Sequence, residues 1–331
     1  MANPTDTTPS PGLLMGEAVE DWTGDAVFYE YSTAVDPMAA GAIAPVPARR
    51  FAPEPGGEGR SRLVPLDLSA ELGVAYPATS PALLAAFLVL LPDDPLPTAG
   101  DCTSELYYCL SGRGCSEVER SASPGHPGRI DWGPGDFITL PAGCSTIHRA
   151  TGGEALLYRV TDAPLLSYLG VAPAECRFEP TRFDGVTARQ RLAEVAGDPR
   201  SSGRNRISVL LGNTATPQTL TVTHTLWAML GVLPAGRVQR PHRHQSVALD
   251  LITDCAPGCY SIMGSSLGAD GTIADPERID WEPGGAFVTP PGLWHSHHNE
   301  SGRAAYLVPI QDAGLHTYLR TLDIRFAPPD D

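Results

Sequence analysis

The stretch Gly236-Arg-Val-Gln-Arg-Pro-His242-Arg-His244 is answered some fifty residues later by Pro290-Pro-Gly-Leu-Trp-His295-Ser-His297-His298-Asn299. Side chains alternate across a β-strand with period 2. His242 and His244 therefore share one face, as do His295 and His297, while His298 points the other way. A third imidazole from a neighbouring strand completes a three-nitrogen cap on a metal. Imidazole suits iron, zinc, copper and nickel, and a site with three protein ligands keeps positions open for chemistry. His242, His244 and His295 are thus the candidate ligands. A lone histidine is more often a satisfied core residue, but seven of the nine histidines lie between His224 and His316.

Outward from this stretch, the chain repeats itself. Ile130-Asp-Trp-Gly-Pro-Gly-Asp-Phe-Ile-Thr-Leu-Pro-Ala-Gly aligns with Ile279-Asp-Trp-Glu-Pro-Gly-Gly-Ala-Phe-Val-Thr-Pro-Pro-Gly. Upstream, Ala86-Phe-Leu-Val-Leu-Leu-Pro92 aligns with Ala228-Met-Leu-Gly-Val-Leu-Pro234. Each half has about eight short apolar runs broken by Gly and Pro, as a small antiparallel barrel or jelly roll requires. Between the halves, Thr187-Ala-Arg-Gln190 has a capping-box pattern and opens a linker helix ending at Gly197-Asp-Pro199.

Both motifs resemble those of the cupin superfamily: Gly, five residues, His-x-His, and later Pro-Gly, several residues, Pro, then His. The chain is more closely similar to gentisate and salicylate 1,2-dioxygenases. Their His-Arg-His-x-x-x-Ala-Leu-Arg run is matched by His242-Arg-His-Gln-Ser-Val-Ala-Leu-Asp250, and their Pro-Pro-x-x-Trp-His-x-His-x-Asn run by Pro290 to Asn299. The resemblance implies an all-β bicupin, with two cupin (double-stranded β-helix or jelly-roll) barrels and short linker helices. The expected organisation is an N-terminal arm (1–58), a degenerate barrel (59–172), a linker with a helix (173–202) and a metal-binding barrel (203–331). The first barrel has no histidine between Pro92 and Glu105 and carries Thr146 where the alignment places His295. It keeps Glu105, and it has His148 opposite His297. One carboxylate and one imidazole are a poor metal site.

The resemblance also implies chemistry. The usual cupin glutamate ligand is absent, with Ala248 and Leu249 at its candidate positions. Three neutral imidazoles leave the full 2+ charge for an anionic bidentate substrate to neutralise. Gentisate-type enzymes use such an iron(II) to cleave an aromatic ring with O2, and there the counterpart of His297 lies beside the substrate in a catalytic role. In the family an arginine follows the Ala-Leu pair and helps hold the substrate carboxylate. Here Asp250 stands instead, which turns attraction into repulsion worth about 4 kcal/mol at 4 Å and an effective dielectric of 20. Either Arg206 grips a carboxylate alone, or Asp250 faces an amine or hydroxyl, or Asp250 pairs with an arginine away from substrate. Trp227 is a further candidate in the substrate pocket, although a tryptophan on that strand is more often core.

The expected function is a non-haem Fe(II) dioxygenase opening the ring of a hydroxy- or amino-hydroxybenzoate-like compound. The alternatives are a cupin isomerase, lyase or other oxidase using Ni, Mn, Cu or Zn, or a non-catalytic binding bicupin. Composition narrows the field further. A length of 331 residues exceeds the usual single core. The net charge of −15 argues against nucleic-acid partners. The chain contains no lysine, which removes Schiff-base chemistry and a P-loop. No window approaches the ~20 apolar residues of a membrane span. Arg49 is the first basic residue, so a secretory signal is not expected. Seven cysteines without paired CxxC sets fit a reduced cytoplasmic protein. The resemblance adds a homodimer or homotetramer.

Overall fold

The computed structural model describes residues 22–54, 59–120 and 123–328. Of the N-terminal arm expected over 1–58, residues 1–21 and 55–58 lie outside the described residues. Residues 22–43 belong to one unit, with a short helix at Tyr31–Ala34 and exposed Trp22, Phe28 and Tyr29. Ala44 onward forms the other. No helix among the described residues is long and apolar enough to cross a membrane.

The larger unit is built from four antiparallel sheets, two per barrel. In the first barrel a six-stranded sheet runs Thr181–Phe183, Phe137–Pro141, Ser104–Ser111, Ala155–Thr161, Leu84–Leu90, Arg62–Pro65. Its four-stranded mate runs Leu96–Thr98, Cys144–Ala150, Gly114–Arg120, Ser123–Trp132. In the second barrel the six-stranded sheet runs Arg50–Phe51, Ala286–Thr289, Ala248–Asp254, Ala305–Gln311, Trp227–Leu233, Ile207–Leu211. Its five-stranded mate runs Glu277–Asp280, Cys259–Gly264, Trp294–Asn299, His242–Arg243, Arg325–Phe326. The two-barrel, all-β architecture read from the repeat is present. One strand from the N-terminal stretch, Arg50–Phe51, adds to the second barrel.

The two large sheets share a core. Phe87, Tyr108 and Tyr158 of the first barrel lie in one apolar cluster with Leu249, Leu251, Val308 and Ile310 of the second. Alternate residues on the same strands face their own barrel: Tyr107 and Cys109 in the first, Ile252 in the second. Strands buried on both faces read as continuous apolar runs rather than alternating ones. That is why Ala86 to Leu91 is unbroken.

The linker helix spans Gly185–Gly197 and buries Ala188 and Leu192 in the shared core. It begins two residues before the Thr187 suggested by the capping-box pattern. Its N-cap is Asp184, whose side chain accepts from the Thr187 backbone N–H at 2.8 Å. A carboxylate at an N-cap satisfies an orphan amide and faces the positive end of the helix. Thr187 therefore donates to the cap rather than being it.

Candidate metal centre

Two turns and one strand pair assemble the centre. In Pro234-Ala-Gly236-Arg237 the Arg237 N–H donates to Pro234 O, and Gly236 has φ +67°. Gly292, after Pro290-Pro291, has φ +78°. Both are positions where a side chain is strained, so each motif needs its glycine. Gly292 N–H donates to His244 O at 2.7 Å, which ties the two motifs together. His242 stands directly opposite His295 in the antiparallel register, with ring centroids 4.1 Å apart. His244 lies 4.9 Å from the His295 ring.

One ligand atom from each of His242, His244 and His295 lies within 4.8 Å of the other two. Each ring is oriented by a backbone carbonyl, at 3.2 Å from Arg240 O, 2.8 Å from Ser246 O and 3.0 Å from Leu293 O respectively. A carbonyl can only accept, so all three Nδ1 atoms carry the proton and all three Nε2 lone pairs are free for a metal. Ser246 Oγ donates to Gln311 Oε1 at 2.9 Å and also backs His244 Nδ1. Burial pushes His242 and His295 well below the ordinary imidazole range and His244 down to about 4. The rings are neutral at pH 7, as metal ligands must be. The donor set therefore fits a divalent first-row metal, and no carboxylate belongs to it.

Beside the triad lies a cavity of about 250 Å³. His242 and His244 form one side, and Trp227, Met229, Leu210 and Phe326 supply apolar wall. Arg206 is the one cationic residue lining it, among the described residues. With the Gln239 amide oxygen turned toward it, Arg206 donates to that oxygen from Nε at 2.9 Å and from its terminal nitrogen at 3.3 Å. It also donates to His297 Nε2 at 3.3 Å. Arg206 has no carboxylate within salt-bridge distance among the described residues.

An arginine has no acceptor, so His297 must present a bare Nε2 and hold its proton on Nδ1. That proton goes to Ser261 Oγ at 2.7 Å, which also accepts the Trp281 indole N–H at 2.9 Å. The first barrel has a matching trio: the Trp132 indole N–H donates to Ser116 Oγ at 2.9 Å, and Ser116 Oγ and His148 Nδ1 are hydrogen-bonded at 2.9 Å. His297 is buried and does not line this cavity. It reaches that cavity through Arg206.

Arg206 and Trp227 are thus brought to the cavity. Asp250 is not. It faces the barrel interior, is 2% exposed, and accepts from Thr289 Oγ1 at 2.7 Å. Burial raises its carboxyl to about 6, against the opposing pull of the Thr289 hydrogen bond and the Arg206 charge. Gln239, Ser246, Ser261 and Gln311 were not singled out from the sequence. Only Ser261 left a trace there, as the partner of Ser116 across the repeat.

Among its described residues the first barrel holds no such centre. Thr98 faces Thr146 where His242 faces His295. Glu105 is taken up by Arg159, Tyr107 and Cys102. Among the described residues the histidine trio is the single cluster able to hold a metal.

Fold and centre together define a two-barrel fold of the bicupin type with a three-histidine cluster able to hold a metal in its second barrel. No protein-family model matches the chain. A stretch of 124 residues is 27% identical to gentisate 1,2 dioxygenase 1 of Aquipseudomonas alcaligenes, covering 38% of this chain and 32% of that protein. The match thus spans about a third of that relative's length. The structure is similar to salicylate 1,2-dioxygenase from Pseudaminobacter salicylatoxidans, with a TM-score of 0.63 and 18% identity over 80% of each chain. A variant of the Bacillus subtilis oxalate decarboxylase gives 0.54 and 13%, covering 79% of this chain and 76% of that one.

Proposed function

We propose that this protein is an iron(II)-dependent dioxygenase that opens the ring of a small hydroxybenzoate-like aromatic with both atoms of O2. The observation that carries the reading is the pairing of an all-imidazole donor set with a half-buried Arg206, which has no carboxylate in ion-pair reach among the described residues, at one small apolar cavity. When bound, iron(II) supplies a Lewis-acidic centre with open positions and the redox capacity that dioxygen chemistry needs. The protein's own part is positional. Arg206 holds the substrate carboxylate, Gln239 and His297 hold Arg206, and Trp227 with Phe326 shelters the ring from water. The names of the gentisate and salicylate 1,2-dioxygenases point to the same substrate class. Seven free cysteines suit a reducing cytoplasm, and the exposed apolar side chains suit a homodimer or homotetramer.

The test is oxygen uptake by iron-loaded protein over a panel of hydroxylated and aminated benzoates. If metal is bound and no member consumes oxygen, ring cleavage is wrong. The oxalate decarboxylase likeness favours a second reading, a metal-dependent lyase, isomerase or other oxidase using Ni, Mn, Cu or Zn. Metal analysis of the isolated protein separates the two, because the first requires iron.

Two outcomes follow for the carboxylate grip. Arg206→Met keeps the metal and weakens binding of a hydroxybenzoate about 10- to 100-fold, the loss of one charge-assisted contact of about 1.5–3 kcal/mol. Titration calorimetry against metal content checks it. Asp250 adds a pH dependence. Its folded pKa lies above the unfolded value of 3.8, so its favourable contribution is present at low pH and is lost as pH rises through about 6. Above that pH its charge competes for Arg206. The affinity for a carboxylate ligand accordingly falls between pH 5 and 7, while Asp250→Asn gives a flat profile over that range.

A further inference from the structure

The two small sheets are a natural comparison, because they descend from one repeat and differ by one strand. In the first barrel Leu96–Thr98 is an edge, with Cys144–Ala150 as its single neighbour. Its counterpart His242–Arg243 has two neighbours, Trp294–Asn299 and the C-terminal strand Arg325–Phe326. After the first barrel's last helix, Ala163–Leu169, the chain instead runs to Thr181–Phe183 and joins the large sheet. The added strand therefore sits on the metal-ligating strand and has no equivalent in the barrel that lacks the histidines.

The added strand is pinned at both ends, by Ala327 N–H to Pro241 O at 2.8 Å and by Asp323 N–H to Gln245 Oε1 at 2.7 Å. Phe326 stands opposite His242 in the register and its ring stacks on the imidazole, 5.8 Å between centroids at 20°. Phe326 and Ile324 line the cavity, yet Phe326 remains 49% exposed. A fixed aromatic ring with one face on a ligand histidine and half its surface uncovered is a surface shaped for another ring. The cavity volume of about 250 Å³ falls below the range of roughly 300–1,000 Å³ typical of drug-sized ligands.

We infer that Phe326, delivered by this added strand, is the wall that limits the ligand to a single aromatic ring. The inference rests on the aromatic-substrate reading above, but not on the carboxylate grip or on ring cleavage. Binding to metal-loaded protein is measured with two probe pairs: salicylate against 1-hydroxy-2-naphthoate, and catechol against 2,3-dihydroxynaphthalene. Wild type is expected to bind the one-ring member of a pair at least tenfold more tightly. Phe326→Ala brings that ratio close to one, with metal content retained, and Phe326→Leu brings it partway. The leucine variant carries the comparison if the alanine variant does not fold. A ratio unchanged by either substitution, or a wild type that takes two rings as readily as one, overturns the inference while leaving the proposed function standing. Ring-size selection by the diol pair with no binding of the acids supports the wall and removes the hydroxybenzoate reading. Failure of all four probes to bind removes both.

Discussion

His295→Ala is expected to leave the protein folded and unable to retain a metal. The three Nε2 atoms converge from two strands, and His295 is the member that contacts both others, at ring separations of 4.1 and 4.9 Å. Removing it leaves two donors. A structural zinc site with four ligands gains about 10–16 kcal/mol, so one ligand is worth about 3 kcal/mol or more, at least a hundredfold in affinity. A metal at a thousand times its dissociation constant stabilises the fold by about 4 kcal/mol. Thermal unfolding with and without added iron(II) therefore shows an upward shift in wild type and none in the variant. His298→Ala is the control. His298 is on the opposite strand face, stacked on Tyr260 at 4.6 Å and bonded to Ser296. If His295→Ala holds metal one to one, the centre is elsewhere.

Glu105→Gln is expected to cost about 3–5 kcal/mol, a large share of the stability of a domain. In the first barrel Arg159 Nε meets Glu105 at 3.2 Å, with the side chains 9% and 2% exposed. Tyr107 donates its hydroxyl to the same carboxylate, and Arg159 also reaches Ala99 O at 3.3 Å. Burial by itself would lower the Arg159 pKa. Tyr107 and Glu105 more than offset this and push it upward, so the guanidinium stays charged. Neutralising Glu105 strands that charge in an apolar barrel. Replacing both partners, as Glu105→Leu with Arg159→Met, removes the stranded charge and is expected to recover most of the loss. Urea unfolding of the two variants measures the difference. A cost below about 1 kcal/mol for Glu105→Gln would show that the pair is better hydrated than its burial implies.

How much of this was legible beforehand differs from residue to residue. His242, His244 and His295 were readable because strand alternation and turn glycines are local rules, and a histidine two residues from another must share its face. The emptiness of the first barrel was readable too, from Thr146 and the missing histidine pair. The linker helix is legible as a periodic run, but its cap is Asp184 rather than Thr187, since two capping residues three apart give nearly the same pattern. Asp250 was beyond sequence reasoning. Its side-chain direction follows from alternation, but whether that direction meets cavity or packed interior depends on Thr289 and on how the sheets close.

The sequence alone determined the repeat, the faces of the strands and the chemistry of the donor set, because each is fixed by residue type and spacing within a few positions. Tertiary structure alone decided which groups surround that donor set. Arg206 and Phe326 reach it from segments far along the chain, and barrel closure sets their distances. Nothing in their immediate neighbours encodes it.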